Sequence, residues 1–347
     1  MAAKKRKILV TGGCGFIGRN LVNGFADKGF DVTVADINPK PYRDDVTFLN
    51  LDITNRKALT EATKGFDSII HNASLVQTKN TNPGMLWKVN YQGAINVMDA
   101  CRANKIKRLV YISSASAVYE GEDIRNGDET LPYSRISQAA YADSKIEAEK
   151  ELLGMSGEDG VNVCALRPHV VFGPEDNRFV PNILEKASTG KLKVEVGKRQ
   201  KLSDFTYVSN FVDAVVLAEE KLVDGSPLCG QAYFITNGEP MAFFEFVERL
   251  MVACGFGKIK GHVPYWLAYG AACVVEGLDY LKGGEAAPEN GVSRFAVRYM
   301  VTDHYYNISK AKRDLGWEPK ISIDEGIKLT VQHLKKTRHP MLPKKAA

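Results

Sequence analysis

Ile8-Leu9-Val10-Thr11-Gly12-Gly13-Cys14-Gly15-Phe16-Ile17-Gly18 follows a basic tetrad, Lys4-Lys5-Arg6-Lys7, near the start of the chain. The aliphatic run Ile8 to Val10 reads as a buried parallel strand. The amphipathic run from Phe16 to Ala26 reads as a helix. Strand, glycine turn and helix, in that order, are the context in which a glycine fingerprint holds a dinucleotide. Gly12 allows the tight turn, Gly15 lets backbone amides approach a pyrophosphate, and Gly18 lets the helix pack close to the strand. The helix start at Phe16 and Ile17 offers the positive end of its dipole to the phosphates.

A second strand, Val32 to Ala35, ends at Asp36, eighteen residues after Gly18. An acidic side chain there accepts the hydroxyls of an adenine ribose and repels a 2′-phosphate. The expected cofactor is therefore NAD rather than NADP, with Arg43 the nearby cation that would soften the preference.

Outward from this unit the pattern is α/β, a Rossmann-type doubly wound parallel sheet with a smaller C-terminal lobe. Val46 to Leu49 reads as a strand, with Asp52-Ile53 at the turn after it and a helix over 55–63. Asp67 to His71 is a strand ending in Asn72-Ala73-Ser74. A helix from about Pro83 to Ala103 carries Asn90. Arg108 to Ile112 ends in Ser113-Ser114-Ala115-Ser116, and Val161 to Leu166 runs into Arg167-Pro168 and Val170-Val171. Ligands in such sheets sit beyond the carboxyl ends of the strands. The candidate motifs share that edge: Gly12 to Gly18, Asp36, Asp52, Asn72-Ala73, Ser113 to Ser116 and Arg167-Pro168.

Tyr141-Ala142-Asp143-Ser144-Lys145 supplies the chemistry. Four residues apart on a helix, the phenol and the ammonium share one face. A free tyrosine titrates near pH 10, and a neighbouring cation moves it toward proton transfer at neutral pH.

Composition sets the bounds. The 347 residues, 44% hydrophobic and 25% charged, suit one large domain or two lobes. The net charge of +5 is small, and much of it lies in the two basic ends. No interleaved basic and aromatic groove suggests nucleic acid. The six cysteines show neither metal spacing nor a disulfide framework, so no metal is expected and a reducing compartment is. The N-terminus passes from its basic patch into the first strand without a secretory signal.

Taken together, Thr-Gly-x-x-Gly-x-x-Gly, the acidic end of the second strand, the serine-rich strand end and Tyr-x-x-x-Lys resemble the extended short-chain dehydrogenase/reductases. The resemblance runs from Lys7 to about Leu334. Within that superfamily the chain is similar to the 3β-hydroxysteroid dehydrogenases, in particular to the decarboxylating sterol-4α-carboxylate dehydrogenases. The segments behind this are Glu120-Gly121, Asp123-Ile124, Arg167-Pro168-His169, Phe172-Gly173-Pro174, Asp204-Phe205-Thr206, Pro264-Tyr265-Trp266 and His304-Tyr305-Tyr306. The resemblance implies that Tyr141 takes the substrate proton, that Lys145 binds the nicotinamide ribose and depresses the tyrosine pKa, and that a serine holds the reacting oxygen. The usual serine or threonine slot holds Ala115; Ser114 is favoured over Ser116. It further implies a cofactor surface of Gly12, Gly15, Phe16, Ile17, Gly18, Asp36, Asp52, Ile53, Asn72, Ala73, Ser74, Asn90, Ser113, Tyr141, Lys145, Pro168, Val170 and Val171, a sterol or steroid substrate and a homodimer. His169 and Arg135 are the candidates for a substrate carboxylate.

The expected division is 7–170 for the NAD-binding unit with its catalytic helix, 171–336 mainly for the substrate lobe, and 337–347 for a basic tail. Ser322 to Glu325 has capping-box spacing and starts a terminal helix. Val263 to Leu281 is the most apolar stretch, with aromatic residues Tyr265, Trp266 and Tyr269 at its start. With the loop 282–291 and the amphipathic piece through Val292, Phe295, Ala296 and Tyr299, it reads as a pocket wall and lid or as a peripheral membrane contact over 263–300. Lys344-Lys345-Ala346-Ala347 looks like a dilysine retrieval signal, which would place the protein on the cytosolic face of the endoplasmic reticulum; without such a signal the cytoplasm is expected. Two other classes share the front half. A nucleotide-sugar epimerase or dehydratase would need uridine-reading polar groups in the rear half, where the chain is apolar and aromatic. A non-catalytic dinucleotide sensor can dispense with Tyr141. A 3β-hydroxysteroid dehydrogenase/isomerase without decarboxylation also fits.

Overall fold

A computed structural model describes residues 5–76, 82–137, 140–197, 200–281 and 294–343. Seven strands form one sheet: β1 (Lys7–Thr11), β2 (Asp31–Asp36), β3 (Thr47–Asn50), β4 (Ser68–His71), β5 (Arg108–Ile112), β6 (Asn162–Pro168) and β7 (Gln231–Ile235), in the order β7-β6-β5-β4-β1-β2-β3. Every neighbouring pair is parallel. The order turns at β1, which lies between β2 and β4, so the switch point sits where the glycine turn leaves β1.

Apart from the half-exposed edge strand β3, the strands are largely apolar runs because both faces are covered. Successive residues point to opposite sides. Ile8 and Val10 therefore pack with Leu21, Val22 and Phe25 of α1 (Phe16–Asp27), while Leu9 joins the other layer. That second layer comprises α2 (Arg56–Ala62), α3 (Gly93–Asn104) and α4 (Ala140–Gly154). Pro83–Leu86 and one π-helical turn, Trp87–Gln92, lead into α3. Each fully buried aliphatic side chain contributes about 1.5–3 kcal/mol.

Beyond β6 come α5 (Phe179–Ser188), α6 (Val208–Lys221), α7 (Phe243–Ala253), α8 (Tyr265–Leu281), α9 (Arg294–Tyr299), α10 (Ser309–Leu315) and α11 (Ile323–Lys336). Ser322 Oγ accepts the Glu325 amide at 3.3 Å and caps α11, as the capping-box spacing predicts. The helices α5, α7 and α11 share a separate core around Phe172, Phe205 and Phe246. A small sheet of Met241–Ala242, Leu202–Ser203, His304–Tyr306 and Ile124–Gly127 stands beside it. The boundary at residue 170 does not separate the layers cleanly. α6 and α10 return to the α1 face, and β7 extends the main sheet beside β6. The reason is register: Gln231 to Ile235 pairs residue by residue with Cys164 to Pro168.

α8 and α9 pack together through Ala268, Ala272 and Val297. The outer side of α8 exposes Trp266, Leu267, Val274 and Leu278. No described helix is long and apolar enough to cross a membrane. The loop 282–291, Val292 and Lys344-Lys345 lie outside the described residues.

Candidate active site

The site begins at the end of β1. Gly12 has φ +65°, and a Cβ there would lie 2.7 Å from the Ala73 Cα. A Cβ on Gly18 would lie 2.1 Å from the Gly12 carbonyl oxygen, so helix and turn touch backbone to backbone. α1 starts at Gly15 with extended backbone, no side-chain cap and no acidic residue in its first turn. That cradle fits the pyrophosphate of a dinucleotide, whose charge the helix end favours. The hydroxyl of Thr11 accepts the amides of Asn72 at 3.2 Å and Ala73 at 3.1 Å, which fixes the end of β4 against the turn. Asn72 Nδ2 donates to the Gly12 carbonyl at 3.2 Å.

Asp36 closes β2. Its Oδ2 accepts the Cys14 amide at 3.1 Å and its Oδ1 the Asn38 amide at 3.2 Å, so the carboxylate is held beside the turn with lone pairs to spare on both oxygens. Arg43 is engaged by Asp27 and Asp45, each at 2.8 Å. Asp52 accepts the Thr54 amide at 2.8 Å, and Ile53 turns its side chain into the core against Gly93. Asn90 is buried. Its Oδ1 accepts from Leu75 N at 2.7 Å and Ser74 Oγ at 3.2 Å, and its Nδ2 donates to the Leu75 carbonyl at 2.9 Å and Ser144 Oγ at 3.2 Å. It thus ties the segment after β4 to α4.

After β5 the backbone leaves the strand at Ser114 and makes a 3-10 turn, Ala115–Val118. Ala115 is buried in the core. The Ser114 hydroxyl lies near enough to the Tyr141 phenol to lower its pKa. Ser116 Oγ donates to Ser114 Oγ at 2.9 Å. The structure thus brings together the favoured serine and the tyrosine, with Ser116 one hydrogen bond behind. Ser113 Oγ is buried without a hydrogen-bond partner among the described residues.

Lys145, 2% exposed, donates from Nζ to the Ile112 carbonyl at 2.6 Å and lies 4.2 Å from the centre of the Tyr111 ring. Burial pulls its ammonium down to about 7, opposed by Glu149. Burial also pushes the Tyr141 phenol above its ordinary value, while the nearby Ser114 hydroxyl and the charge of Arg178 pull it back. Burial thus moves the two groups apart, the phenol up and the ammonium down, and neither is among the causes of the other's shift.

Pro168 ends β6 beside Ile235, Val170 takes φ +39°, and Val171–Phe172 pairs with Thr206–Tyr207. A β-branched residue at positive φ is strained, and that strain turns the chain sharply past the site edge. His169 is buried. Its Nε2 is 3.0 Å from both His304 Nδ1 and the Tyr299 hydroxyl, and burial holds it well below its usual pKa. It is a neutral member of an aromatic cluster. Arg135 lies exposed in its loop. Reasoning on motifs missed three residues. Thr11 precedes the turn and pins it, Glu149 lies one turn past Lys145, and Arg178 is separated from Tyr141 by more than thirty residues. Only the helical spacing of Glu149 was a usable signal.

Similarity to known proteins follows this geometry. The chain is 35% identical over 340 residues to the sterol-4-alpha-carboxylate 3-dehydrogenase, decarboxylating, of Mus musculus, covering 97% of this chain and 94% of that protein. It is 34% identical over 339 residues to the 2-alkyl-3-oxoalkanoate reductase of Shewanella oneidensis, covering 94% of this chain and 86% of that protein. Among solved structures, the Thermus thermophilus UDP-glucose 4-epimerase complex with NAD superposes with a TM-score of 0.71 at 24% identity, over 95% of this chain and 99% of that one. At that identity the likeness bears on the Rossmann-type fold. The profile of the 3-beta hydroxysteroid dehydrogenase/isomerase family matches residues 9–263, which span the glycine turn, Asp36, Ser114, Tyr141 and Lys145. With the fold, the dinucleotide cradle and the tyrosine-lysine pair in one place, the chain belongs to the 3-beta hydroxysteroid dehydrogenase/isomerase family of oxidoreductases.

Proposed function

We propose that this protein oxidises the 3β-hydroxyl of a sterol bearing a 4α-carboxylate, with NAD as the acceptor, and that carbon dioxide is then lost. The observation that carries the reading is Tyr141 beside Ser114 with Lys145 one helical turn on, at the strand edge that also holds the glycine turn. The substrate class is supported by the mouse relative's name. The Shewanella relative's name points the same way, because a 3-oxoalkanoate also carries its oxygen β to a carboxylate.

NAD, when bound, would supply the hydride acceptor for the carbinol carbon. Gly12 to Gly18 and the start of α1 would hold its pyrophosphate, Asp36 its adenine ribose and Lys145 its nicotinamide ribose. Tyr141 takes the hydroxyl proton as base, Ser114 holds the same oxygen, and Ser116 orients Ser114. The product is a β-keto acid. When its carbon–carboxylate bond breaks, the electron pair moves to the ketone oxygen as an enolate, and the hydroxyls of Ser114 and Tyr141 stabilise that charge. Arg178 supplies positive charge beside Tyr141 of the kind a neighbouring substrate carboxylate calls for.

The exposed apolar side of α8, with Trp266, suits contact with a lipid surface, from which a sterol would enter. The proposed setting is the cytosolic face of the endoplasmic reticulum, as a homodimer. A second reading is oxidation of a β-hydroxy acid that is not a sterol, favoured by the Shewanella relative.

The deciding experiment offers purified protein NAD with four substrates: a 4α-carboxysterol, a 3β-hydroxysterol without the carboxylate, a 2-alkyl-3-hydroxy fatty acid and a UDP-sugar. NADH absorbance and product mass are followed. NADH with loss of 44 mass units beyond oxidation is expected for the first alone (carbon dioxide, by its formula, ~44). Turnover of the UDP-sugar without any NADH from a hydroxysterol would sink the proposal.

A further inference from the structure

Glu149 stands one helical turn beyond Lys145, as Lys145 stands one turn beyond Tyr141, so the three share a stripe of α4. Its side chain is fully buried, and Arg167 of β6 holds it. Nη2 donates to Oε1 at 2.5 Å, and Nε reaches Oε1 at 3.0 Å and Oε2 at 3.2 Å. The Tyr133 hydroxyl donates to Oε1 at 2.8 Å. The guanidinium itself lies over the rings of Tyr133, at 5.1 Å, and Phe234, at 5.3 Å. An ion pair this dry is poorly screened, and its charges act on neighbours several ångströms away.

Lys145 occupies the same dry layer. The titratable groups that face it are Tyr111 from β5, His71 from β4, and Tyr141 and Glu149 from its own helix. His71 stays neutral. The Thr11 hydroxyl, which already accepts two backbone amides, turns its hydrogen to His71 Nδ1 at 2.8 Å, and burial holds the ring at about 3. Among the described residues, Glu149 is the anion in this set.

We propose that Glu149 is a positioning residue for the Tyr141–Lys145 pair: its carboxylate is the counter-charge that keeps the Lys145 ammonium protonated in a dry site, and Arg167, which holds that carboxylate, sets how much of the charge Lys145 feels. The proposal rests on Tyr141 being the base. It differs from a purely structural role in its sign. A salt bridge that only holds α4 on β6 changes stability; a counter-charge also moves the pH at which the pair titrates.

The test is the pH–rate profile of alcohol oxidation. Glu149→Gln keeps the shape and an acceptor for Tyr133 but leaves the guanidinium unbalanced. Lys145 and Tyr141 then both release protons more readily, and both limbs of the profile move to lower pH by about one unit, a roughly tenfold change in rate at a fixed pH on either limb. The double variant Glu149→Gln/Arg167→Gln removes both charges and recovers a large part of that shift. Glu149→Asp keeps the charge one methylene further away and moves the limbs in the same direction by less. NAD affinity and melting temperature report on the fold. A Glu149→Gln protein that binds NAD normally and keeps the wild-type limbs overturns the proposal, as does a double variant displaced as far as the single one. Should Glu149→Gln not fold, unmoved limbs in Glu149→Asp overturn it equally. Tyr141→Phe separates the two levels: full turnover there removes the base and this role with it, whereas an inactive Tyr141→Phe beside an unmoved Glu149→Gln removes only the role of Glu149.

Discussion

Ser116 donates to Ser114 at 2.9 Å, and Ser114 in turn lowers the pKa of the Tyr141 phenol. The two serines therefore act in series. Ser114→Ala removes the donor proposed to meet the reacting oxygen and should lower kcat by about 10²–10³, the usual range for one lost oxyanion donor. Ser116→Ala removes only its support and should cost less than about tenfold. Tyr141→Phe should abolish turnover with NAD binding intact. Steady-state kinetics on the three variants check the order; equal losses at Ser114 and Ser116 would contradict it.

Gly18 and Gly15 separate fold from cofactor. A Cβ on Gly18 would sit 2.1 Å from the Gly12 carbonyl, whereas one on Gly15 meets that oxygen at an ordinary 3.5 Å. Gly18→Ala should lower the melting temperature by several degrees and weaken NAD together, because helix and turn must part. Gly15→Ala should leave melting unchanged and weaken NAD by at least about tenfold, because its methyl stands where the phosphates approach. Thermal melts and NAD titration give both numbers. Equal melting of the two variants would mean the turn adjusts freely.

Asp36 is held by the Cys14 and Asn38 amides, with both oxygens able to accept more. Asp36→Ala should lower the NAD over NADP ratio of kcat/KM by about 10²-fold, since it removes two hydroxyl contacts and a repulsive charge, each on the order of 1–2 kcal/mol. Arg43 should not take over, because its guanidinium is engaged by Asp27 and Asp45. A ratio unchanged by the substitution would remove Asp36 from the cofactor site.

Much of this was legible, and the rest had identifiable causes. Strands β1, β2, β4, β5 and β6 announce themselves as largely apolar runs because both their faces are buried, whereas β3 is a half-exposed edge. The run Gln231 to Ile235 is as short and lies among irregular segments, so only its register on β6 makes it a strand. The slot count put Ala115 where a serine or threonine is usual. The 3-10 turn at Ala115–Val118 sinks Ala115 into the core and leaves Ser114 and Ser116 hydrogen-bonded to each other. Asn90, which the resemblance places on the cofactor surface, has its amide engaged by Leu75, Ser74 and Ser144, partners no local pattern announces. The Glu149–Arg167 pair depends on β6 lying beside α4, which no local pattern encodes.

Asp204 gives stability a pH dependence. Its Oδ2 accepts the Tyr306 amide at 2.7 Å and Thr236 Oγ1 at 3.1 Å, while Oδ1 is buried without a partner among the described residues. Burial raises the carboxyl to about 7 from its ordinary 3.8. The folded state therefore keeps a proton that the unfolded chain releases. The contribution is fully present below pH about 3.8, and it is lost as pH rises to about 7. Asp204→Asn has no proton to lose. Its stability relative to wild type should rise steadily across that window and level off above it, in urea melts at several pH values. A constant difference would mean Asp204 is ionised in the fold.

Trp266, 72% exposed, stands on the outer side of α8 with Leu267, Val274 and Leu278, while Ala268 and Ala272 face α9. These side chains contribute nothing to the core, so replacing them tests the surface alone. The protein should float with vesicles of phosphatidylcholine and phosphatidylserine. Trp266→Ser/Leu267→Ser should cut the bound fraction by at least about fivefold, since each large apolar group entering lipid is worth about 1.5–3 kcal/mol. Melting temperature, and turnover of a detergent-dispersed sterol, should stay at wild-type values. Flotation that survives the double substitution would assign the membrane contact to another surface, and a fall in detergent-phase turnover would place Trp266 at the substrate instead.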